Sequence, residues 1–142
     1  MTESHFRSII KGVSWRIVGT IDTIFLSFIL TGHLTVALKI GASEVITKVA
    51  LYYLHERVWI YFLKEQTQSS RVSMFKAVTW RIVGTIDTMI LGWFYSGNLL
   101  TGLKIGLTEV ITKIILYYFH ERIWHRVPIG TVRKWFGIST KD

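Results

Sequence analysis

The chain contains no cysteine, a single proline and few acidic residues. Its 142 residues include 9 Asp and Glu against 17 Lys and Arg, which gives a formal net charge of +8. Without cysteine the protein has no disulfide framework, no thiol nucleophile and no thiolate metal site. The single proline, Pro128, and the lack of a tract rich in glycine and serine argue against a disordered region or a long linker.

Apolar residues are abundant. They make up 50% of the chain, and the mean hydropathy of +0.38 is high for a soluble protein of this length. A basic chain can bind nucleic acid, but here the placement of the charge indicates a lipid bilayer as the partner instead. No glycine-rich nucleotide loop and no catalytic triad is present, so we predict neither an enzyme nor a cofactor.

The sequence is a tandem duplication. The segment WRIVGTIDT occurs at residues 15–23 and again at residues 80–88, and EVITKVALYYLHERVW at residues 44–59 returns as EVITKIILYYFHERIW at residues 109–124. Each copy holds an apolar run, a tight turn and a second long apolar run, which predicts two transmembrane helices per repeat. In the first repeat the second helix is expected at about residues 34–63.

We therefore divide the chain into repeat 1 (residues 1–63), a polar connector (residues 64–71) and repeat 2 (residues 72–142). Repeat 1 begins with an amphipathic arm, predicted to lie on the membrane surface as far as Arg16. Repeat 2 ends in a basic segment that predicts an interfacial helix after Pro128, with Val132, Trp135 and Phe136 able to contact lipid.

The predicted fold is all-α: an integral membrane four-helix bundle of two two-helix repeats. Because each repeat crosses the membrane twice, both repeats enter from the same side, and a pseudo-twofold axis along the membrane normal should relate them. A soluble helical bundle is the rival interpretation. Four apolar segments whose loop charges all lie on one side favour the membrane.

The positive residues predict the orientation. Most of them lie in the N-terminal arm, in residues 57–81 and in residues 122–141, whereas the turns at residues 31–35 and 96–101 contain none. By the positive-inside rule both termini are cytoplasmic, in a multi-pass protein of the bacterial inner membrane. Every tryptophan except Trp93 lies on that side, as an aromatic belt would.

Ionisable residues occur inside the predicted spans in two matching sets. They are Asp22, Glu44 and Lys48 in repeat 1 and Asp87, Glu109 and Lys113 in repeat 2. At ~1.5 Å per residue, Asp22 and Lys48 both lie about 10 Å from the cytoplasmic boundary. Because an unpaired charge in hydrocarbon is costly, we predict that Asp22 pairs with Lys48, and Asp87 with Lys113, each with the glutamate of its own repeat.

A second group of polar residues is predicted at the cytoplasmic rim. It comprises Arg16, His55, Glu56, Arg57, Arg81, His120, Glu121 and Arg122. We expect Arg16 to form an ion pair with Glu56. The His-Glu dipeptides could suggest a metal, but no histidine follows at the spacing of the HExxH motif, so we predict hydrogen-bonded interface residues and no metal site.

Small residues recur every four positions along the predicted helices. The series are Gly19, Thr23 and Ser27; Gly84, Thr88 and Gly92; Ala37 and Gly41; and Gly102 and Gly106. This spacing lets helix backbones approach closely in lipid, so we interpret the series as packing seams.

The motifs WRIVGTIDT, KIG, EVITK and YYxHERxW resemble those of a family of short bacterial membrane proteins that is classed as a domain of unknown function. The resemblance covers residues 11–59 and 76–124. Many members resemble one repeat only, which implies that single-repeat proteins pair and that this chain is a fused pair. Some relatives in this family sit beside sulfate-activation enzymes, so the resemblance implies a link to sulfate assimilation or to another oxyanion.

Two functions are compatible with the sequence. If the two charged sets face each other across the axis, they line a path for an ion or a small anion, and the protein is a transport component. If each set is closed on itself, it fixes helix register, and the protein is a non-catalytic scaffold or accessory subunit. Either would act as a homo-oligomer or within a larger membrane complex. A continuous polar cavity that touches both sets would favour transport.

Overall fold

The computed structural model describes residues 5–63, 69–128 and 130–137. Within these ranges the chain forms four long helices and one short one. They are α1 (His5–Thr31), α2 (Leu34–Leu63), α3 (Ser70–Ser96), α4 (Leu99–Arg126) and α5 (Thr131–Trp135). The two tandem two-helix repeats are thus confirmed, and α2 has the predicted bounds.

Each hairpin turns on a left-handed glycine. Gly32 and Gly97 have φ angles of 72° and 70°, a region that disfavours residues with a Cβ atom. The Gly97 N–H donates to the Trp93 carbonyl (2.8 Å), which closes the last turn of α3. Asn98 then caps α4, since its side chain accepts a hydrogen bond from the Thr101 N–H (3.2 Å). The result is an antiparallel pair joined by two residues.

The long helices form a ring in which α1 contacts α2 and α4, and α3 contacts α2 and α4. The glycine turns lie together at one end, which we call the turn end. The other end carries the start of α1 and α3 and the close of α2 and α4, and we call it the basic end. The polar connector falls mostly outside the described residues. Its last described residues begin α3, with Ser69 as the N-cap.

Small residues fill the seams within each repeat. A Cβ atom on Gly92 would lie 2.9 Å from the Gly102 Cα atom, so the backbones of α3 and α4 touch there. In the first hairpin, a Cβ atom on Gly41 would collide with the Ile24 side chain. All members of the four predicted small-residue series are buried. The prediction of packing seams is confirmed at Gly41, Gly92, Gly102 and Gly106, whereas Gly19 and Gly84 face Lys113 and Lys48 of the other repeat.

The bundle is polar inside and apolar outside. Among the described residues the buried apolar side chains are few: Leu26, Ala37, Ile40, Ile105, Trp124 and Val132. The buried polar and charged side chains are more numerous, and large apolar side chains such as Ile21, Phe25 and Ile111 lie exposed on the outer faces. Exposure of so large an apolar surface to water is unfavourable, whereas the same surface is well solvated by lipid chains.

The two terminal segments differ from the simplest expectation. Residues 5–16 continue into the apolar run without a break, so the predicted surface arm is the beginning of α1. The predicted helix after Pro128 exists as α5, but it packs on α1. Val132 is only 2% exposed and cannot contact lipid, which corrects that prediction, whereas Trp135 and Phe136 remain exposed.

Candidate functional site

Lys113 of α4 is the centre of the first polar cluster. Its ammonium group donates to the Asp22 carboxylate (3.3 Å) and to the Gly19 carbonyl (3.0 Å), both on α1. It also forms an ion pair with Glu109, one turn away on its own helix. Asp22 accepts a further hydrogen bond from the Thr112 hydroxyl (2.9 Å). Both carboxylates are thus held by one lysine between α1 and α4.

Lys48 of α2 is the centre of the second cluster, which repeats the first contact by contact. Its ammonium group donates to Asp87 (2.9 Å) and to the Gly84 carbonyl (2.8 Å), both on α3, and pairs with Glu44 (3.1 Å) on its own helix. Asp87 also accepts from the Thr47 hydroxyl (2.8 Å). We call these sets the Lys113 cluster and the Lys48 cluster.

The predicted partners of the two aspartates are therefore wrong, although each aspartate does lie level with a lysine, as predicted. Asp22 pairs with Lys113 and not with Lys48, and Asp87 pairs with Lys48. Because the two repeats are alike, Lys48 and Lys113 lie at the same level, and each aspartate is level with both of them. Depth does not say which neighbouring helix supplies the cation. In the ring, α1 has α4 as well as α2 beside it, and Lys113 reaches across.

Threonines are the members of these clusters that sequence reasoning assigned to packing alone. Thr23 donates to Glu109 (2.8 Å) and Thr88 to Glu44 (3.3 Å), and each also accepts from the lysine of its cluster. Threonine recurs next to the charged residues in the segments GTIDT and EVITK, and this pattern could have indicated hydrogen bonds to the carboxylates. Hydroxyl groups satisfy carboxylate lone pairs that the lysine leaves open.

At the basic end, ion pairs again join the two repeats. Lys11 contacts Glu121 (2.8 Å), and Lys76 contacts Glu56 (2.8 Å). The predicted Arg16–Glu56 pair is wrong, because the partner of Glu56 is Lys76 on the neighbouring helix α3. The hydrogen bond from Lys11 lowers the pKa of the Glu121 carboxyl. Glu121 lies outside the membrane-spanning part of α4, because roughly 20 residues of a helix are enough to cross the hydrocarbon.

The two histidines form hydrogen-bonded clusters next to these ion pairs. Trp124 Nε1–H donates to His120 Nε2 (3.1 Å), which also lies 2.8 Å from the Ser14 hydroxyl. His55 has the same arrangement with Trp59 (3.1 Å) and the Thr79 hydroxyl (2.9 Å). Each histidine thus bonds to the neighbouring helix, as predicted for interface residues, although through a hydroxyl group and not through the adjacent glutamate.

The four predicted rim arginines separate into two pairs. Arg57 and Arg122 project outward and lie over the rings of Tyr53 (5.0 Å) and Tyr118 (5.6 Å), contacts that stabilise a cation against an aromatic face. Arg16 and Arg81 are exposed as well, but they line the cavity that borders the two clusters. The structure does not bring the two pairs together.

A cavity borders both polar clusters. Its volume is about 130 Å³, several times the roughly 30 Å³ that one water occupies in the liquid. A smaller cavity of about 50 Å³ adjoins it and shares Arg16, Glu44 and Lys48 with it. The lining residues of the larger cavity are Trp15, Arg16, Glu44, Lys48, Trp80, Arg81, Gly84, Thr85, Glu109, Val110 and Lys113. Both glutamates and both lysines therefore border one polar space.

Between the glutamates of the two clusters and the turn end, the interior of the bundle is filled by side chains. One turn closer to the turn end lie Ile40 and Ile105, both 0% exposed. A Cβ atom added to Gly102 would lie 2.5 Å from the Met89 carbonyl oxygen, so no space separates α3 from α4 there. The polar space thus belongs to the half of the bundle at the basic end.

An inside-out polar bundle of this kind defines an α-helical membrane protein. Among the helices in the described ranges, α1 is the one that meets the usual length and composition of a membrane span, with a mean hydropathy of 1.5. The other three long helices do not meet that criterion, and the ion pairs of the two clusters reduce the cost of the charges that they carry.

The chain belongs to the family described as predicted membrane protein (DUF2061), whose model matches it twice, at residues 9–60 and 74–125. The match confirms the tandem repeat and the membrane family. Neither the curated proteins nor the solved structures include a match to this chain.

Proposed function

We propose that this protein is a small transport component that moves an ion or a small anion through the centre of the bundle. The observation that carries the proposal is the cavity that borders both polar clusters at once. Charged side chains inside a membrane are functional candidates by default, because hydrocarbon opposes them. Here Glu44, Glu109, Lys48 and Lys113 share one space large enough for several waters.

The two clusters need both repeats. Asp22 of repeat 1 is held by Lys113 of repeat 2, and Asp87 of repeat 2 by Lys48 of repeat 1. The matching contacts support a pseudo-twofold axis that runs through the cavity. A path on such an axis presents the same groups from both sides, as parallel repeats in transporters do.

The packed half near the turn end makes the cavity accessible from one side. Transport therefore requires a second state, in which the seam around Ile40 and Ile105 opens. Such an opening would be a shear motion, in which packed helices slide by a small distance along the small-residue seams.

We further propose that the basic end is cytoplasmic and that the membrane is the bacterial inner membrane. A reporter enzyme inserted at Gly32 or Gly97 should then report the periplasm, and one fused after Asp142 should report the cytoplasm. The reason is the excess of lysine and arginine at the basic end. A cytoplasmic reading at Gly32 would reverse the orientation.

The flux of ions across liposomes tests the transport proposal. Protein reconstituted with radiolabelled rubidium, chloride or inorganic phosphate should pass at least one of them faster than empty liposomes do. Replacing both Glu44 and Glu109 by glutamine keeps their size but removes the two carboxylates that line the cavity. A rubidium flux should then fall to the empty-liposome level, whereas a chloride or phosphate flux should rise, because the carboxylates repel anions. Lys104→Gln is the matched control, because Lys104 is exposed near the turn end.

A scaffold or accessory subunit is the second candidate. The observation that favours it is the packed half of the bundle, where Ile40 and Ile105 leave no opening. In that case Trp135 and Phe136 at the exposed basic end would contact a partner protein. Absence of flux for all three ions in the folded protein would refute transport and favour this candidate.

A further inference from the structure

Arg16 and Arg81 occupy the same position in the two copies of WRIVGTIDT and line the same cavity. In residues 5–63, 69–128 and 130–137, no hydrogen bond or ion pair engages either guanidinium group. The other charged groups that line this cavity all have partners: Lys48, Lys113, Glu44 and Glu109 belong to the two clusters. The two arginines are thus the cations of the cavity wall that no carboxylate in these ranges contacts directly.

Their position distinguishes them from the other rim arginines. Arg57 and Arg122 also lie near the basic end, but each is directed outward over a tyrosine ring. Arg16 precedes Asp22 by six residues on α1, so it lies about 9 Å closer to the basic end at ~1.5 Å per residue. Arg81 has the same relation to Asp87. The two arginines therefore lie at the mouth of the cavity, with the charged clusters deeper.

The chemistry of this mouth matches an oxyanion. A guanidinium group presents several N–H donors in a planar fork that pairs with two oxygens of a phosphate or carboxylate. Two such forks on one cavity repel each other unless an anion lies between them. A tetrahedral oxyanion has enough oxygens to accept from both, whereas chloride offers no second atom to a fork.

The two glutamates at the deeper end of the cavity oppose the entry of an anion beyond the arginines. Glu44 and Glu109 line the same space and repel negative charge, and their lysines are already shared with Asp87 and Asp22. An anion is therefore expected at the arginines and not between the glutamates. Trp15 and Trp80, which precede the arginines in the sequence, also line the cavity.

We propose that Arg16 and Arg81 together bind a phosphate-type oxyanion at the mouth of the cavity, either as a free ion or as the headgroup of an anionic lipid. This site goes beyond the proposed transport, because it needs only the mouth of the cavity and no movement through the bundle. It can therefore exist whether or not an ion crosses, and it is tested without a flux measurement.

Titration calorimetry with inorganic phosphate, on lipid-free protein in a non-ionic detergent, tests the free-ion source. Binding should be detected and should weaken at least tenfold when both arginines become glutamine. Arg57→Gln with Arg122→Gln removes the same number of rim charges away from the cavity and should leave binding unchanged. Arg16→Lys with Arg81→Lys keeps the charge and loses the fork, so it should also bind more weakly than the native protein, and it serves if the glutamine variant does not fold.

The lipid source is tested on the same variants. Phosphatidylglycerol retained through purification is quantified by native mass spectrometry, and the Arg16/Arg81 variants should retain less of it than the Arg57/Arg122 control does. Phosphate binding that depends on Arg16 and Arg81 identifies a free anion, and lipid retention with the same dependence, without phosphate binding, identifies a headgroup. If neither ligand binds, or if both arginine pairs contribute equally, the proposed site is refuted.

Discussion

Replacing Lys113 with methionine should destabilise the protein by roughly 3–5 kcal/mol, the usual cost of breaking one side of a buried ion pair. Lys113 is the cation of both Asp22 and Glu109, and the side chains of Lys113 and Asp22 are 13% and 6% exposed. Its removal leaves two carboxylates in a membrane interior with hydroxyl groups alone as partners. The free energy of unfolding, measured by denaturing-detergent titration in mixed micelles, gives the loss.

A second substitution identifies the partner of Lys113. Asp22→Asn combined with Lys113→Met should recover much of the lost stability, because removing both members of a buried pair costs less than removing one. Asp22→Asn combined with Lys48→Met is the matched control. It breaks one ion pair in each cluster and removes no complete pair, so it should recover little of the lost stability. Recovery in the control and additivity in the first pair would mean that ion pairing stays within each repeat.

A methyl group at Gly102 should be the most damaging small change in the packing seams. The Cβ atom of Gly102→Ala would lie 2.5 Å from the Met89 carbonyl oxygen and 2.6 Å from the Trp93 nitrogen. These are backbone atoms of α3 and cannot rotate away, so the helices must separate. We expect a loss of roughly 1–3 kcal/mol or more, as for overpacked cores, visible as a lower melting temperature in detergent.

Two further glycines calibrate this result. At Gly106 the nearest contact is the Met89 side chain, which can adopt another rotamer, so Gly106→Ala should cost less than Gly102→Ala. Gly12 has open space around its Cβ position in α1, so Gly12→Ala should be neutral or stabilising, since alanine favours a helix. Equal melting temperatures for all three variants would exclude a close backbone approach at Gly102.

Much of the fold could be predicted from the sequence because it depends on local pattern. The length of each apolar run, the glycines at positions 32 and 97 and the identical segments fixed the helices, the turns and the repeat. The four-residue spacing of small residues predicted buried seams, and those residues are buried. That each aspartate lies level with a lysine followed from helix rise alone.

The composition of the site was predicted only in part. All six charged residues expected within the membrane belong to the two clusters, and Arg16 and Arg81 line the cavity between them. The threonines were missed as hydrogen-bond donors, because a small residue on a helix seam fits packing equally well. Arg57 and Arg122 were grouped with the rim, yet they face outward, since one residue along a helix turns a side chain by about 100°.

The sequence by itself determined the repeat, the helices, the level of every charge and the presence of two matching polar sets. Only the tertiary structure decided that small residues join the helices within a repeat, while ion pairs and hydrogen bonds join one repeat to the other. The physical reason is that the rise along a helix sets the level of each residue. Which neighbouring helix supplies its partner depends on how the four helices pack into a ring. When the repeats are alike, each aspartate has two lysines at its own level, and packing selects between them.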